Sequence, residues 1–217
     1  MNTMYRYCRR NFDNMRVSVP RERVFSRLGY NSNITEQNGM KALTDLYIDE
    51  AEDYLDLKAV SVRLAVRRIM SDGLLMEDGT LVKSTDVARK FQGSVELLFI
   101  AATSGEEIVS RIISCTEDGD MTKSVVFNAV ASEITDHCLN VVLDVYRREL
   151  LREGKSLDKF RYSPGYGDLE LSFQSEIDHI LDFKSIGVKL NSSFMMLPEK
   201  SVTALCGIYQ RGSDGQI

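Results

Sequence analysis

The sequence predicts an α+β fold: a twisted, mainly antiparallel sheet flanked by helices. Three observations carry this. Segments of alternating and of β-branched character recur along the chain. They are mixed irregularly with helical patterns instead of following a regular βαβα order. And one helical pattern, from Met121 to about Arg152, is far longer than any strand candidate.

In chain order, Arg16-Val-Ser-Val19 reads as a short strand. Pro20 then opens a helix from Arg21 to Leu28, which Gly29 stops, following the preference for proline at the first helical position and glycine just past the last. Tyr30 to Thr35 is polar loop. Gln37 to Leu57 carries apolar residues at spacings of three and four, among them Met40, Leu43, Tyr47, Ile48 and Ala51, and so forms an amphipathic helix whose acidic face is solvated. Val60 to Val66 alternates as a strand with one buried face. Leu74 to Val82 is a hairpin turning at Asp78-Gly79. Ser84 or Thr85 caps a short helix through Lys90. Val95 to Ala102 is apolar enough for a central strand. Ser104, with Glu107 three residues on, forms a capping box for a helix reaching about Cys115. In the long helix Val126, Ala129, Val130, Glu133, Ile134, His137, Leu139, Val142 and Val145 trace one broad face. Leu169 to Phe183 reads as a helix, Val188 to Leu190 as a short strand, Phe194 to Leu197 as core lining near a site, and Ser201 to Tyr209 as a last strand. The tail from Arg211 is polar and frayed. The residues divide into an N-terminal α+β portion, 1–120, and a portion 121–217, forming one continuous structural unit.

Composition narrows the function. The chain has 217 residues, 43% hydrophobic and 27% charged, an ordinary globular balance with enough length for a real core. A formal charge of −5 argues against a nucleic-acid partner. No apolar run approaches a membrane span, and Met1 to Arg10 lacks the apolar stretch of a secretory signal, which points to the cytoplasm. Cys8, Cys115, Cys138 and Cys206 are scattered without metal-ligand spacing, so reduced, mostly buried thiols are expected. The two histidines, His137 and His179, sit in no local metal or triad pattern.

The densest turn signal is Arg161-Tyr-Ser-Pro-Gly-Tyr-Gly-Asp-Leu-Glu-Leu-Ser-Phe-Gln174. Pro164 fixes its own φ and pushes Ser163 to an extended conformation. Gly165 and Gly167 permit positive φ or close approach to the backbone. Arg161 enters the turn and Asp168 leaves it. A cationic fork, exposed amides and two tyrosine rings make a cradle for a small ligand bearing a carboxylate and an aromatic base. An ordinary surface turn would carry the same glycines and proline. The Gly-x-Gly here is no dinucleotide fingerprint, because no apolar strand precedes it.

This stretch, followed by Leu190-Asn-Ser-Ser-Phe-Met-Met-Leu-Pro-Glu-Lys-Ser-Val202, resembles the activation domain of cobalamin-dependent methionine synthase. The first block looks like that family's Arg-x-x-x-Gly-Tyr segment, and the second like its Ser-Phe-x-Met-x-Pro-x-x-Ser-Val run. The match spans about Ser124 to Gln210; the family's Ala-Cys-Pro is replaced by Asp168-Leu-Glu170, as in stand-alone versions of the domain. The resemblance implies the same α+β fold and a site for S-adenosylmethionine. Arg161 would take the ligand's carboxylate. The backbone of Ser163, Pro164, Gly165, Tyr166 and Gly167 would read its adenine. An acid on the preceding helix would hold its ammonium: Asp136, with Glu133 one turn earlier as the fallback. It further implies reductive methylation of cob(II)alamin. No Asp-x-His-x-x-Gly motif is present, so the cobalamin would be carried by a partner methionine synthase or another corrinoid protein, with a flavodoxin- or ferredoxin-like electron donor. An activator of a different corrinoid methyltransferase, or a non-catalytic module binding S-adenosylmethionine or a partner, fits the same residues.

Overall fold

The computed structural model describes residues 7–30 and 38–211. The expected loop through Thr35, the helix start at Gln37 and the tail beyond Arg211 lie outside the described residues.

The chain is built on a seven-stranded antiparallel sheet. Its strands are β1 (Arg10–Phe12), β2 (Lys58–Met70), β3 (Gly73–Met76), β4 (Leu81–Lys83), β5 (Glu96–Thr103), β6 (Lys155–Leu157) and β9 (Ser201–Gln210). The order across the sheet is β4-β3-β2-β5-β9-β6, with β1 on the side of β2 away from β5. A separate two-stranded ribbon pairs β7 (Lys189–Leu190) with β8 (Met196–Leu197). The helices are α1 (Arg21–Arg27), α2 (Asn38–Glu52), α3 (Thr85–Lys90), α4 (Glu106–Glu117), α5 (Met121–Arg152) and α6 (Gln174–Leu181).

Helices cover both faces of the sheet, which corrects the expectation of a single buried face on the second strand: Val60, Ser61 and Val62 are all buried. On β5, Leu98, Ile100 and Ala102 face one way and pack with Phe127, Val130, Ile134 and Cys138 of α5 and with Ile48 and Ala51 of α2. Leu97, Phe99 and Ala101 face the other way, against Phe91, Ile177, Ile180 and Phe183. The period-2 alternation is therefore intact, but both of its faces are core. Each fully buried Phe or Leu contributes about 1.5–3 kcal/mol of burial free energy.

Four further local expectations are revised. Arg16–Val19 is an unpaired extended segment; the free side of β2 is already divided between β1 and β3. The helix α2 ends at Glu52, and Leu57 beyond it is buried at the start of β2. α4 is capped by Gly105 and not by Ser104. Ser104 is buried, its amide bonded to the Lys200 carbonyl at 3.0 Å, and Gly105 (φ +90°) lies so close to Asp56 that a Cβ has no room. The stretch 169–183 is not one helix: a 3-10 turn (Leu171–Phe173) leads into α6, and a second (Phe183–Ile186) follows the left-handed Asp182.

Candidate functional site

The long helix α5 has the ends the sequence predicts, because Asp120 caps its first turn by accepting the Lys123 amide and no breaker interrupts the pattern before Glu153. It crosses one face of the sheet and presents Asp136 and Leu139 beside β9. Beyond β6, the neighbour of β9 is the predicted turn. Tyr162 exchanges both backbone bonds with Leu205, at 2.9 and 2.7 Å. The Ser163 hydroxyl donates to the Thr203 carbonyl at 2.6 Å. The turn then lifts away from β9, and the stretch Ser201–Ala204 is left as the floor of a cleft of about 690 Å³.

One wall of the cleft is the turn itself, with Arg161, Tyr162, Ser163, Pro164 and Tyr166. Gly165 (φ +90°) makes the bend, and its amide is closed onto the Leu169 carbonyl at 2.8 Å. Tyr166 is 69% exposed at the mouth. The opposite wall comes from the loop of the β7–β8 ribbon: Phe194, held at φ +60°, with Met195 and Met196. Asn191 shapes that loop by accepting the amides of Ser193 and Met195 with its side-chain oxygen. Of the run Phe194–Leu197, expected as core lining, only Met196 is buried; the others form an exposed rim.

The polar centre is an ion pair. Arg161 Nη2 lies 2.7 Å from Asp136 Oδ1, and the other terminal nitrogen, Nη1, is closed off from solvent with no hydrogen-bond acceptor. Leaving a buried donor unpaired costs about 1–3 kcal/mol, more for a charged group, so the guanidinium is only part-satisfied by the fold. The second Asp136 oxygen is 3.7 Å from Arg23 Nη1. Burial pushes the Cys206 thiol, two residues beyond the cleft floor, up to about 12 despite the nearby Arg161 guanidinium. Burial does the same to Cys138. The arrangement is suited to holding and orienting a charged ligand.

Arg161, Ser163, Pro164, Tyr166 and Asp136 thus meet in one cleft. Gly165 and Gly167 shape the turn from behind. Glu133 lies elsewhere, half-buried in an ion pair with Arg27 at 2.6 Å beside a separate small hollow. The amides of Gly165 and Tyr166 are bonded inside the turn, to Leu169 and Ser163, so the backbone offers a ligand fewer donors than an open glycine loop does. Gln174, Glu199, Ser201 and Thr203 also line the cleft and were missed from sequence. Gln174 is buried and accepts the Thr203 hydroxyl at 3.0 Å. The one available signal was the unusual Pro198-Glu199-Lys200 opening the last strand.

Asp168 lies just behind the turn. It accepts the Ser84 hydroxyl and the amides of Thr85, at 2.7 Å, and Asp86, at 3.3 Å, all at the start of α3. Among the described residues no group of three His, Cys, Asp or Glu side chains is placed to hold a metal, and no helix is long and apolar enough to cross a membrane. No family model matches this chain, and no curated protein matches its sequence. Among solved structures, the crystal structure of the MetH reactivation domain bound to AdoHcy aligns with 98% of this chain and 81% of that one, with a TM-score of 0.63 and 16% identity; the chain has the fold of that domain.

Proposed function

We propose that the chain binds S-adenosylmethionine in the cleft between α5, the Arg161 turn and β9, and acts as a stand-alone reactivation subunit for a cobalamin-dependent methionine synthase. The observation that carries this reading is the Arg161 guanidinium. One of its terminal nitrogens is paired with Asp136 and the other has no acceptor, in a cleft that coincides with the two sequence blocks resembling the activation domain. The fold shared with a domain crystallised with AdoHcy supports it.

The residues fit such a ligand. A volume near 690 Å³ is within the range of small-molecule sites. Arg161 takes the carboxylate, favoured by its planar fork. Pro164 and the exposed Tyr166 ring offer flat surface to the adenine, and Phe194 and Met195 shield the other side from water. Ser163 contributes indirectly, by tying the turn to Thr203. The bound ligand supplies an electrophilic sulfonium methyl, and a partner protein supplies the corrinoid that accepts it and the flavodoxin- or ferredoxin-like donor that reduces that corrinoid. This chain's part is orientation: it fixes the amino-acid head so that the methyl faces outward to the partner.

Isothermal calorimetry with S-adenosylmethionine on the wild type and on Arg161→Ala tests the binding. Heat with the wild type and none with the variant is expected; no heat with either overturns the reading. Conversion of cob(II)alamin to methylcobalamin, followed by absorbance with a reductant and candidate corrinoid proteins, then tests the role. Conversion with methionine synthase supports the proposal. Conversion only with another corrinoid methyltransferase, or binding without conversion, replaces it with one of those narrower roles.

A further inference from the structure

We infer that Glu199, and not Asp136, receives the ammonium group of the ligand, and that Asp136 is a positioning residue that sets Arg161 for the carboxylate. This rests on the reading of the cleft as a site for an S-adenosyl amino acid, and it assigns the head group's second contact.

Asp136 is already neutralised. Its Oδ1 is 2.7 Å from Arg161 and its Oδ2 is 3.7 Å from Arg23. An ammonium arriving there meets one carboxylate flanked by two guanidinium groups, so attraction and repulsion nearly cancel. Removing Asp136 from the pair also leaves Arg161 less well held, which the ligand's carboxylate needs. Glu199 lines the same cleft, yet among the described residues no Lys, Arg or His forms an ion pair with it. Its sequence neighbour Lys200 forms no ion pair with it: the half-buried Nζ donates to the Ser132 hydroxyl on α5 at 3.2 Å and feels the Glu199 charge only at longer range.

The backbone that carries Glu199 is fixed on both sides. The Lys200 carbonyl accepts the Ser104 amide at 3.0 Å. The Ser201 hydroxyl donates to the Pro198 carbonyl at 2.7 Å and meets the Thr103 hydroxyl at 2.8 Å. A carboxylate with no ion pair, carried just ahead of β9 at the edge of a cleft whose other acid is already paired, is the group best placed to take a cation. The pairing of Arg161 with the carboxylate and Glu199 with the ammonium makes the cleft selective for an α-amino acid head and against ligands that lack either charge.

Two probes separate the roles in calorimetry: S-adenosylhomocysteine, and its analogue with hydrogen in place of the α-amino group. Glu199→Gln is expected to weaken S-adenosylhomocysteine about tenfold, the size of one charge-assisted bond, and to leave the desamino analogue within about twofold. Asp136→Asn is expected to weaken both probes by similar factors, because it acts through Arg161. Thermal melting of both variants checks that each is folded. The inference is overturned if Glu199→Gln binds S-adenosylhomocysteine as the wild type does, if it weakens both probes equally, or if Asp136→Asn weakens only the amino-bearing probe. Failure of the wild type to bind either probe is a different result: it removes the S-adenosyl reading of the cleft, and this assignment with it.

Discussion

Arg161 and Asp168 stand at opposite ends of one turn, and the structure treats their charges in opposite ways. Asp168 is saturated: a hydroxyl and two amides at the start of α3 point at its carboxylate. Arg161 has one carboxylate and one nitrogen with nothing to bond. A charge whose hydrogen-bonding capacity is filled inside the fold is doing the work of an anchor. A charge left with unused capacity beside a cleft is not spent on holding the fold together. The same turn therefore carries its own attachment and the contact proposed for a ligand, and the two are distinguished by satisfaction, not by residue type or position.

The largest test of that difference is removal of each side chain in turn. Arg161→Ala is expected to lower S-adenosylmethionine affinity by on the order of 100-fold, as for loss of a central charged contact. Its melting temperature should change little, because the deleted group was only half-satisfied. Calorimetry and differential scanning fluorimetry on the same samples read both. An Arg161→Ala protein that binds normally, or that loses most of its stability, erases the contrast drawn here.

Gly167 sharpens the anchor side. It adopts φ +52°, and a Cβ there would meet the Tyr162 hydroxyl and the Asp86 carboxylate. Gly167→Ala is expected to cost about 1–3 kcal/mol in urea unfolding, from the left-handed backbone and the crowding together. Its effect on affinity should be smaller than that of Arg161→Ala. A stability equal to the wild type would mean that the turn has slack, and that Asp168 does not hold it closely to α3.

What the sequence made legible followed from local rules. The full extent of α5, the Asp78-Gly79 hairpin, and the α3 cap at Ser84, whose hydroxyl accepts the Val87 amide at 3.0 Å, are all set by residues close together in the chain. What was illegible depended on distant partners. Ser104 has the composition of a capping residue, but Lys200 claims its amide, and the chain needs Gly105 against Asp56. Arg16–Val19 alternates like a strand yet pairs with none, and the side of β2 away from β5 is taken by β1 and β3. At the site, the Pro-Gly turn was visible from its chemistry, and the meeting of Arg161 and Asp136 at one site only through the resemblance; their direct pairing was not foreseen, since nothing local links a loop arginine to a helix aspartate. Glu199 fell inside the second resembling block, but nothing marked it as a site residue, because an exposed glutamate looks the same whether or not a cleft lies beside it. Asp168 stood out as a departure from the family's Ala-Cys-Pro, and its role emerged only when α3 was found at its side.

That role yields the smallest and most specific expectation. The Ser84 hydroxyl, and after it the Thr85 and Asp86 amides, hold the Asp168 carboxyl below the usual aspartate range. A group whose folded pKa is depressed binds protons more readily when unfolded, so its contribution is present above the unfolded value, near 4, and disappears as pH falls through the lower folded value. The side chain is fully exposed, so the effect is a modest slope in stability below about pH 4 and not a collapse. Melting temperature measured against pH should fall less steeply in that window for Asp168→Asn than for the wild type, with the variant the less stable of the two at neutral pH. Limited proteolysis at neutral pH should also cut the variant sooner within residues 161–170, because the anchor is weakened there first. If the two pH curves run parallel and the cleavage patterns agree, the three hydrogen bonds at α3 do not hold the turn, and Arg161 owes its placement to Asp136 and the Tyr162–Leu205 bridge alone.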